Sequence, residues 1–387
     1  MRHLLNKNVR NIEMSGIRKV SNKVDRSPDV INLTFGQPNF DTPEYIKEAG
    51  IQAIKDGHTG YTETAGLLEL REAACHYMNR QYNLTFDPNE EVLVTVGASE
   101  ALDITFRTIL NEGSEVIIPT PAYPGYEPLV QMCNGVSVYV DTTSNEFKLT
   151  ANLIEKHLTD KTRAIVLPYP NNPMGSLLTK SEIRDIADLL AGKEIFIVAD
   201  EIYSELNFEE DHMSIGEIDK VKNQSIIING LSKSLAMTGW RIGFAFAPNY
   251  LIEEFNKIKS FNTICAPSIS QYASVIALKS EKNNDEVLRM KIDYKKRRDY
   301  VYNRIVKMGL EVIPPNGAFY IFPSIKKTGL SSTEFMDGLL EEENVAIIPG
   351  NAFTEHGEGF IRISYAQSFD QLEKGLDGIE RFVSKKI

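Results

Sequence analysis

Residues 230–243 read Gly-Leu-Ser-Lys-Ser-Leu-Ala-Met-Thr-Gly-Trp-Arg-Ile-Gly, and they come directly after the apolar run 225–229. A short apolar run of this kind predicts a buried β-strand that ends in a turn. Lys233 lies on the turn, and Arg241 follows eight residues later. A lysine amine can form a Schiff base with an aldehyde, and an arginine fork suits a phosphate. The same spacing also occurs in solvated loops, so features elsewhere in the sequence are needed to distinguish a ligand site from a surface turn.

The wider pattern is that of an α/β protein. Nearly unbroken apolar runs alternate with amphipathic helical stretches, which predicts a mostly parallel sheet covered on both faces. The predicted strands are 92–96, 115–118, 164–167, 195–199, 225–229 and 243–247, and the helices include 99–110, 179–190 and 250–261. After residue 282 a charged helix (285–308), strands at 318–322, 345–348 and 360–364, and a last helix (369–385) predict a smaller α+β domain.

Composition excludes several classes of function. A chain of 387 residues with 42% hydrophobic and 25% charged residues is an ordinary globular protein. The net charge of −11 and the absence of a Lys/Arg run argue against nucleic-acid binding. Three widely spaced cysteines form no metal or disulfide pattern, and no run of 18 apolar residues predicts a membrane span. Because no apolar signal-peptide core opens the chain either, we expect a cytoplasmic enzyme without a bound metal or a membrane or nucleic-acid partner.

Unusual polar residues follow the predicted strands, where ligands gather in such sheets. Gly97, Ala98 and Ser99 follow strand 92–96 and open a helix, so the amides of Ala98 and Ser99 and the Ser99 hydroxyl can bind a phosphate. An ordinary N-cap is the alternative for Ser99. Asp200 ends strand 195–199 and can pair with a pyridinium nitrogen, while Tyr203 can reach a phenolic oxygen on the same ring. A capping aspartate and a core tyrosine are the alternative there.

Three further residues extend the pattern. Asn172, in a Pro-Asn-Asn-Pro turn, can point its amide at the phenolic oxygen, although such turns are common without any ligand. Tyr123 can stack on a pyridine face. Arg362 is a charge within an apolar run, so it needs an anion, either a substrate carboxylate or a structural salt bridge. Pyridoxal 5′-phosphate carries the aldehyde, phosphate, pyridine nitrogen and phenolic oxygen that all these groups would meet.

In combination these motifs resemble the class I aminotransferases of the fold-type I pyridoxal-phosphate enzymes, from about residue 12 to the C-terminus. The matching segments are Leu33-Thr34-Phe35-Gly36-Gln37-Pro38, Phe40-Asp41-Thr42-Pro43, Tyr61, Gly66-Leu67-Leu68-Glu69-Leu70-Arg71 and those around Gly97, Tyr123, Asn172, Asp200 and Lys233. Two positions depart from the common pattern, because Gly230 replaces a serine and Met174 replaces the threonine of an Asn-Pro-Thr-Gly turn. The resemblance implies a large cofactor-binding domain (residues 41–281), a small C-terminal domain (282–387) and an N-terminal segment (1–40) that packs with the small domain.

The resemblance also implies a role for each site residue. Lys233 would hold the cofactor as a Schiff base and move a proton between the substrate Cα and the cofactor C4′, with Asp200 and Tyr203 completing the catalytic set. The cofactor phosphate would be held by Ala98, Ser99, Ser232 and Arg241, and by Tyr61 of the partner subunit in a homodimer with shared sites. The cofactor ring would be held by Tyr123 on its face and by Asn172 at its phenolic oxygen. The substrate α-carboxylate would meet Arg362, Asn172 and the backbone of Gly36.

Within the family the closest resemblance is to the subgroup that uses N-acetyl-L,L-2,6-diaminopimelate in lysine biosynthesis. The matching segments are 4–6, 15–18, 227–234 and 317–323. We therefore expect transamination of that amino acid with the 2-oxoglutarate/glutamate pair. Aromatic or aspartate aminotransferase activity is the alternative, and a carbon–sulfur β-lyase on the same fold is a more distant one. A transcription regulator built on this fold would need a DNA-binding module, and only about 30 residues precede Ile31.

Overall fold

The computed structural model describes residues 1–24 and 29–387, and its strands build three sheets. The strands are β1 (Ile31–Asn32), β2 (Val92–Val96), β3 (Glu115–Thr120), β4 (Val136–Asp141), β5 (Thr162–Leu167), β6 (Phe196–Asp200), β7 (Ser225–Gly230), β8 (Ile242–Phe246), β9 (Tyr320–Ile321), β10 (Val345–Ala346), β11 (Ile348–Pro349) and β12 (Ile361–Ser364).

Helices connect and cover these strands. They are α1 (Lys7–Asn11), α2 (Gly16–Val24), α3 (Glu44–Lys55), α4 (Leu68–Tyr82), α5 (Gly97–Ile109), α6 (Tyr126–Met132), α7 (Ala151–His157), α8 (Lys180–Leu190), α9 (Asp219–Lys222), α10 (Leu231–Ser234), α11 (Asn249–Asn262), α12 (Ser268–Lys279), α13 (Lys282–Lys307), α14 (Ser332–Glu343) and α15 (Phe369–Ser384). Across the described part of the chain, none of them combines the length and apolarity needed to cross a bilayer.

The large sheet has seven strands in the order β2-β8-β7-β6-β5-β3-β4. Strands β7, β6, β5, β3 and β4 are parallel to one another, and β8 runs antiparallel to both of its neighbours. Strand β2 therefore points the same way as β7. As a result, the loops that follow β2, β3, β5, β6 and β7 all leave from one edge of the sheet, which confirms the α/β fold and its mostly parallel sheet.

The second part of the fold combines both ends of the chain. Strand β1 pairs with β10, and β9, β12 and β11 form a small antiparallel sheet. Val20 and Val24 of α2 and Leu33 pack into the same apolar cluster as the buried residues of α14 and α15. The N-terminal segment thus shares a core with the C-terminal elements, while the domain bounds 1–40, 41–281 and 282–387 stay a prediction.

Most predicted elements lie within a few residues of the observed ones, and β4 is the main omission. Its sequence, Val-Ser-Val-Tyr-Val-Asp, alternates instead of running apolar, because β4 is an edge strand and is only partly buried. The predicted strand 345–348 is also divided into β10 and β11, which belong to different sheets.

A buried ion pair fixes the helix that opens next to the functional edge of the sheet. Glu100, in the first turn of α5, accepts hydrogen bonds from the backbone amide of Val96 (2.5 Å) and from Nζ of Lys259 on α11 (2.8 Å). The Lys259 side chain is fully buried. These two charges are removed from water and stabilise each other. Removing one of them would leave the other buried without a partner.

We predict that Lys259→Met lowers the free energy of unfolding by about 3–5 kcal/mol, because it leaves the Glu100 carboxylate buried without its cation. Lys257→Met on the same helix is the matched control. Its ion pair with Glu254 is exposed to water, so losing it should change the free energy of unfolding little. Urea unfolding of both variants measures the difference, and equal losses would show that the buried pair does not secure α5.

Candidate active site

A cavity of about 280 Å³ lies at the carboxyl edge of the large sheet, facing the small antiparallel sheet. The loops after β2, β3, β5, β6 and β7 each contribute to it, as do the N-terminal segment and strands β9 and β12. Of the predicted site residues, it brings together Gly36, Ala98, Ser99, Tyr123, Asn172, Asp200, Tyr203, Ser232, Lys233, Arg241 and Arg362.

Lys233 lies in α10, the short helix directly after β7, and its Nζ donates a 2.6 Å hydrogen bond to the carbonyl of Gly36. Burial lowers the pKa of this amine to about 8, and the cations of Arg241 and Arg362 act in the same direction. Asp200 partly opposes them. A lysine with such a pKa is partly neutral near pH 8, which is the state that attacks a carbonyl carbon.

Asp200 is buried at the end of β6, as predicted, and one of its oxygens accepts a 2.7 Å hydrogen bond from the hydroxyl of Tyr126. Burial raises the pKa of this carboxyl, and the Tyr126 hydrogen bond works against that increase. A buried carboxylate of this kind favours a partner that brings a proton or a positive charge. Sequence reasoning missed Tyr126, whose aromatic ring at the start of α6 looks like an ordinary core residue.

The turn at the start of α5 is shaped around Arg241. Its guanidinium donates to the carbonyls of Thr238 (3.0 Å) and Val96 (3.3 Å), and a Cβ at Gly97 would collide with it. Gly97 also has a φ of +71°, which suits glycine. The N-cap of α5 is Val96, so Ser99 is not the cap, and Ser99 is exposed and lines the cavity.

Arg362 is only 1% exposed and lines the cavity from β12. Its Nη1 donates to Oδ1 of Asn172 (2.9 Å) and its Nη2 to the carbonyl of Thr34 (2.6 Å). Its Nε is buried without a hydrogen-bond partner, and no described carboxylate forms a salt bridge with it. A structural salt bridge, the alternative explanation for this arginine, is therefore absent from the described residues, and the guanidinium can pair with an anionic ligand.

Tyrosines line the cavity, among them Tyr123, Tyr203 and Tyr320. The ring of Tyr203 lies 5.7 Å from Nζ of Lys233, and its hydroxyl is 2.8 Å from that of Tyr320. Tyr123 lines the cavity with its ring edge-on to Tyr126, at 5.5 Å between centroids. Sequence reasoning also missed Tyr320, which lies within an apolar strand.

Tyr61 is the predicted site residue that the single chain does not bring to the cavity. It is 82% exposed and lies in a separate surface pocket with Val96, Cys265 and Pro267. The sequence resemblance implies that Tyr61 contacts the cofactor phosphate bound by the partner subunit, and this contact stays a prediction.

The charges of the cavity define the ligand that would fit. Arg241, beside the start of α5, and Arg362, on β12, line it together with Lys233, so a ligand or ligand pair with more than one anionic group is favoured. Asp200 adds a buried carboxylate to the same cavity. Within residues 1–24 and 29–387, no three His, Cys, Asp or Glu side chains are grouped so as to hold a metal ion.

Residues 28–379 match the family model described as aminotransferase class I and II. The chain belongs to this aminotransferase family. Over 386 residues it is 51% identical to a protein of Bacillus subtilis described as a probable N-acetyl-LL-diaminopimelate aminotransferase, covering 100% of this chain and 97% of that protein.

Two solved aminotransferases share the fold. The aromatic aminotransferase of Pyrococcus horikoshii is 40% identical with a TM-score of 0.90, covering 95% of this chain and 99% of the other. The aspartate aminotransferase of Thermus thermophilus with maleate is 34% identical with a TM-score of 0.94, covering 98% and 99%. The protein is a transaminase with the fold-type I architecture, and its family uses pyridoxal phosphate.

The depressed pKa of Lys233 gives this aminotransferase a testable pH dependence. A lysine amine reacts with an aldehyde only when it is neutral, so the rate at which cofactor-free protein captures pyridoxal 5′-phosphate should rise with pH and be half-maximal near pH 8. An unperturbed lysine would give a midpoint near 10.4. Rapid-mixing absorbance measurements follow the capture, with Lys233→Ala as the control. A midpoint near 10 would show that burial does not tune this amine.

Proposed function

We propose that the cavity binds pyridoxal 5′-phosphate through Lys233 and that the chain transaminates an L-amino acid with a 2-oxo acid. The observation that carries the proposal is that one cavity is lined by the Lys233 amine, the guanidinium groups of Arg241 and Arg362, and the buried carboxylate of Asp200. Arg241 and the first amides of α5 would hold the phosphate, and Asp200 would hold the ring nitrogen. When bound, the cofactor supplies an electron sink for the carbanion at the substrate Cα.

The protein's own groups supply binding and proton transfer. Arg362 would hold the substrate carboxylate in two hydrogen bonds, and this fixes the Cα next to Lys233. The freed Nζ of Lys233 would take the Cα proton and return it at the cofactor C4′, for which its pKa near 8 is well matched. Tyr203 and Asn172 would donate to the phenolic oxygen, because Oδ1 of Asn172 accepts from Arg362 and its amide hydrogens remain available.

For the substrate, we propose N-acetyl-L,L-2,6-diaminopimelate with the 2-oxoglutarate/glutamate pair, in lysine biosynthesis. The 51% identity to the Bacillus subtilis protein supports this choice. A larger cleft of about 740 Å³ shares Tyr123 and Tyr126 with the cavity and is lined also by Lys19 and Lys23. Glu13, Glu127 and Glu355 also line this cleft, and Lys19 and Lys23 are paired with Glu13 and Asp337, so the support that the cleft gives is its room for a substrate side chain that extends away from the reacting carbon.

We also propose that the protein works as a homodimer in the cytoplasm. Besides Tyr61, large apolar side chains are exposed at Ile51 and Ile54, which precede it in sequence, and at Phe261 and Ile264, which are sequence neighbours of Thr263 in the Tyr61 pocket. Phe261 is 93% exposed, which is unusual for a phenylalanine on a free surface. A dimer would cover this face and would bring Tyr61 to the partner's phosphate site. Sedimentation at close to 43.5 kDa, the mass of one chain, would contradict the dimer.

A panel of amino donors tests the proposed substrate. The purified, cofactor-loaded enzyme is mixed with glutamate, N-acetyl-L,L-diaminopimelate, aspartate or phenylalanine, and the loss of the lysine-bound cofactor absorbance is followed. We expect glutamate and the diaminopimelate derivative to react at least about tenfold faster than the others, a difference of about 1.4 kcal/mol in transition-state binding. Faster reaction with phenylalanine or aspartate would favour the alternative aminotransferases. Release of pyruvate and ammonia from a cysteine conjugate would favour the β-lyase.

A further inference from the structure

Tyr320 touches two of the proposed functional groups without being one of them. Its hydroxyl is 2.8 Å from the hydroxyl of Tyr203, and the guanidinium of Arg362 lies 4.4 Å from its ring centroid. It is fully buried. The strand register explains the arrangement, because Tyr320 pairs with Ser364 on β12 and Arg362 lies two residues before Ser364. Side chains two residues apart share a face, so Tyr320 and Arg362 are diagonal neighbours.

The Tyr203–Tyr320 hydrogen bond can run in either direction, but only one direction leaves a donor for the cavity. Among the described residues, neither hydroxyl has a further partner. If Tyr203 donated to Tyr320, its hydroxyl would offer only lone pairs to a ligand. If Tyr320 donates, the Tyr203 proton is free to point at an acceptor.

Arg362 favours donation by Tyr320. Burial raises the pKa of both hydroxyls, and the nearby Arg362 cation partly offsets that increase at each of them. The guanidinium faces the Tyr320 ring directly, so it withdraws electron density from that phenol and strengthens its O–H as a donor. Hydrogen bonds in a chain polarise one another, so Tyr203 in turn becomes a stronger donor.

We propose that Tyr320 is a positioning residue that donates its hydroxyl hydrogen to Tyr203 and thereby directs the Tyr203 hydrogen at the phenolic oxygen of the cofactor. The inference rests on the proposed function. It links the two ends of the site, because the cation that would bind the substrate carboxylate also polarises the pair that would act on the cofactor. The Tyr320 ring itself supports Arg362 from one side, while Phe353 lies 5.0 Å from the guanidinium.

Tyr320→Phe tests the proposal, because it removes the hydroxyl and keeps the ring against Arg362. Without this hydrogen bond Tyr203 is a weaker donor, the phenolic oxygen keeps more negative charge, and Nζ of Lys233 in the cofactor-loaded enzyme holds its proton more tightly. The absorbance titration of the lysine-bound cofactor should therefore move up by about 0.5–1 pH unit. We expect the rate with glutamate to fall while its KM stays within about twofold.

A double-mutant cycle separates this role from simple packing. Tyr203→Phe alone should move the titration in the same direction, and adding Tyr320→Phe to it should move the midpoint no further, because Tyr320 acts through Tyr203. An unchanged titration in Tyr320→Phe, or equal shifts in the presence and absence of the Tyr203 hydroxyl, would overturn the proposal. Failure of the proposed function would look different, because wild type would then show the same absorbance as Lys233→Ala.

Discussion

The charge balance of one cavity is the constraint on which the rest of the site depends. Lys233, Arg241 and Arg362 bring three cationic groups to a space where Asp200 contributes a buried carboxylate. Burial lowers the pKa of Lys233, and repulsion by the cations of Arg241 and Arg362 lowers it further. Backbone carbonyls accept some of the hydrogen bonds that each guanidinium can donate, which lowers the cost of burying these cations. Anionic groups of the cofactor and substrate would neutralise the remaining positive charge.

The parallel sheet explains why these residues meet although they are far apart in sequence. Strands β2, β3, β5, β6 and β7 point the same way, so every loop that follows them opens on one edge. Buried parallel strands have nearly continuous apolar sequences, and the polar residue after each is therefore visible in the sequence. Asp200, Lys233 and Gly97 could be predicted for this reason. The family resemblance then added the roles that spacing alone left open.

Other parts of the site depend on contacts that no local pattern shows. Tyr126 reaches Asp200 across 74 residues of sequence, and Tyr320 reaches Tyr203 across 117. Each looks like an apolar core residue until the register of the sheets is known. The carbonyl of Thr34, which holds Arg362, has no side-chain signature at all. Strand β4 was missed for a related reason, because an exposed edge strand lacks the apolar run that marks its buried neighbours.

Chemical trapping of the cofactor tests the central claim most directly. Borohydride reduction of the cofactor-loaded protein converts a Schiff base into a stable secondary amine, and peptide mapping by mass spectrometry then identifies the modified lysine. We predict a single phosphopyridoxyl group on Lys233, and none after reduction of the Lys233→Ala variant treated in the same way. A label on another lysine, or an unmodified Lys233 in the yellow protein, would contradict the assignment of this cavity as the catalytic site.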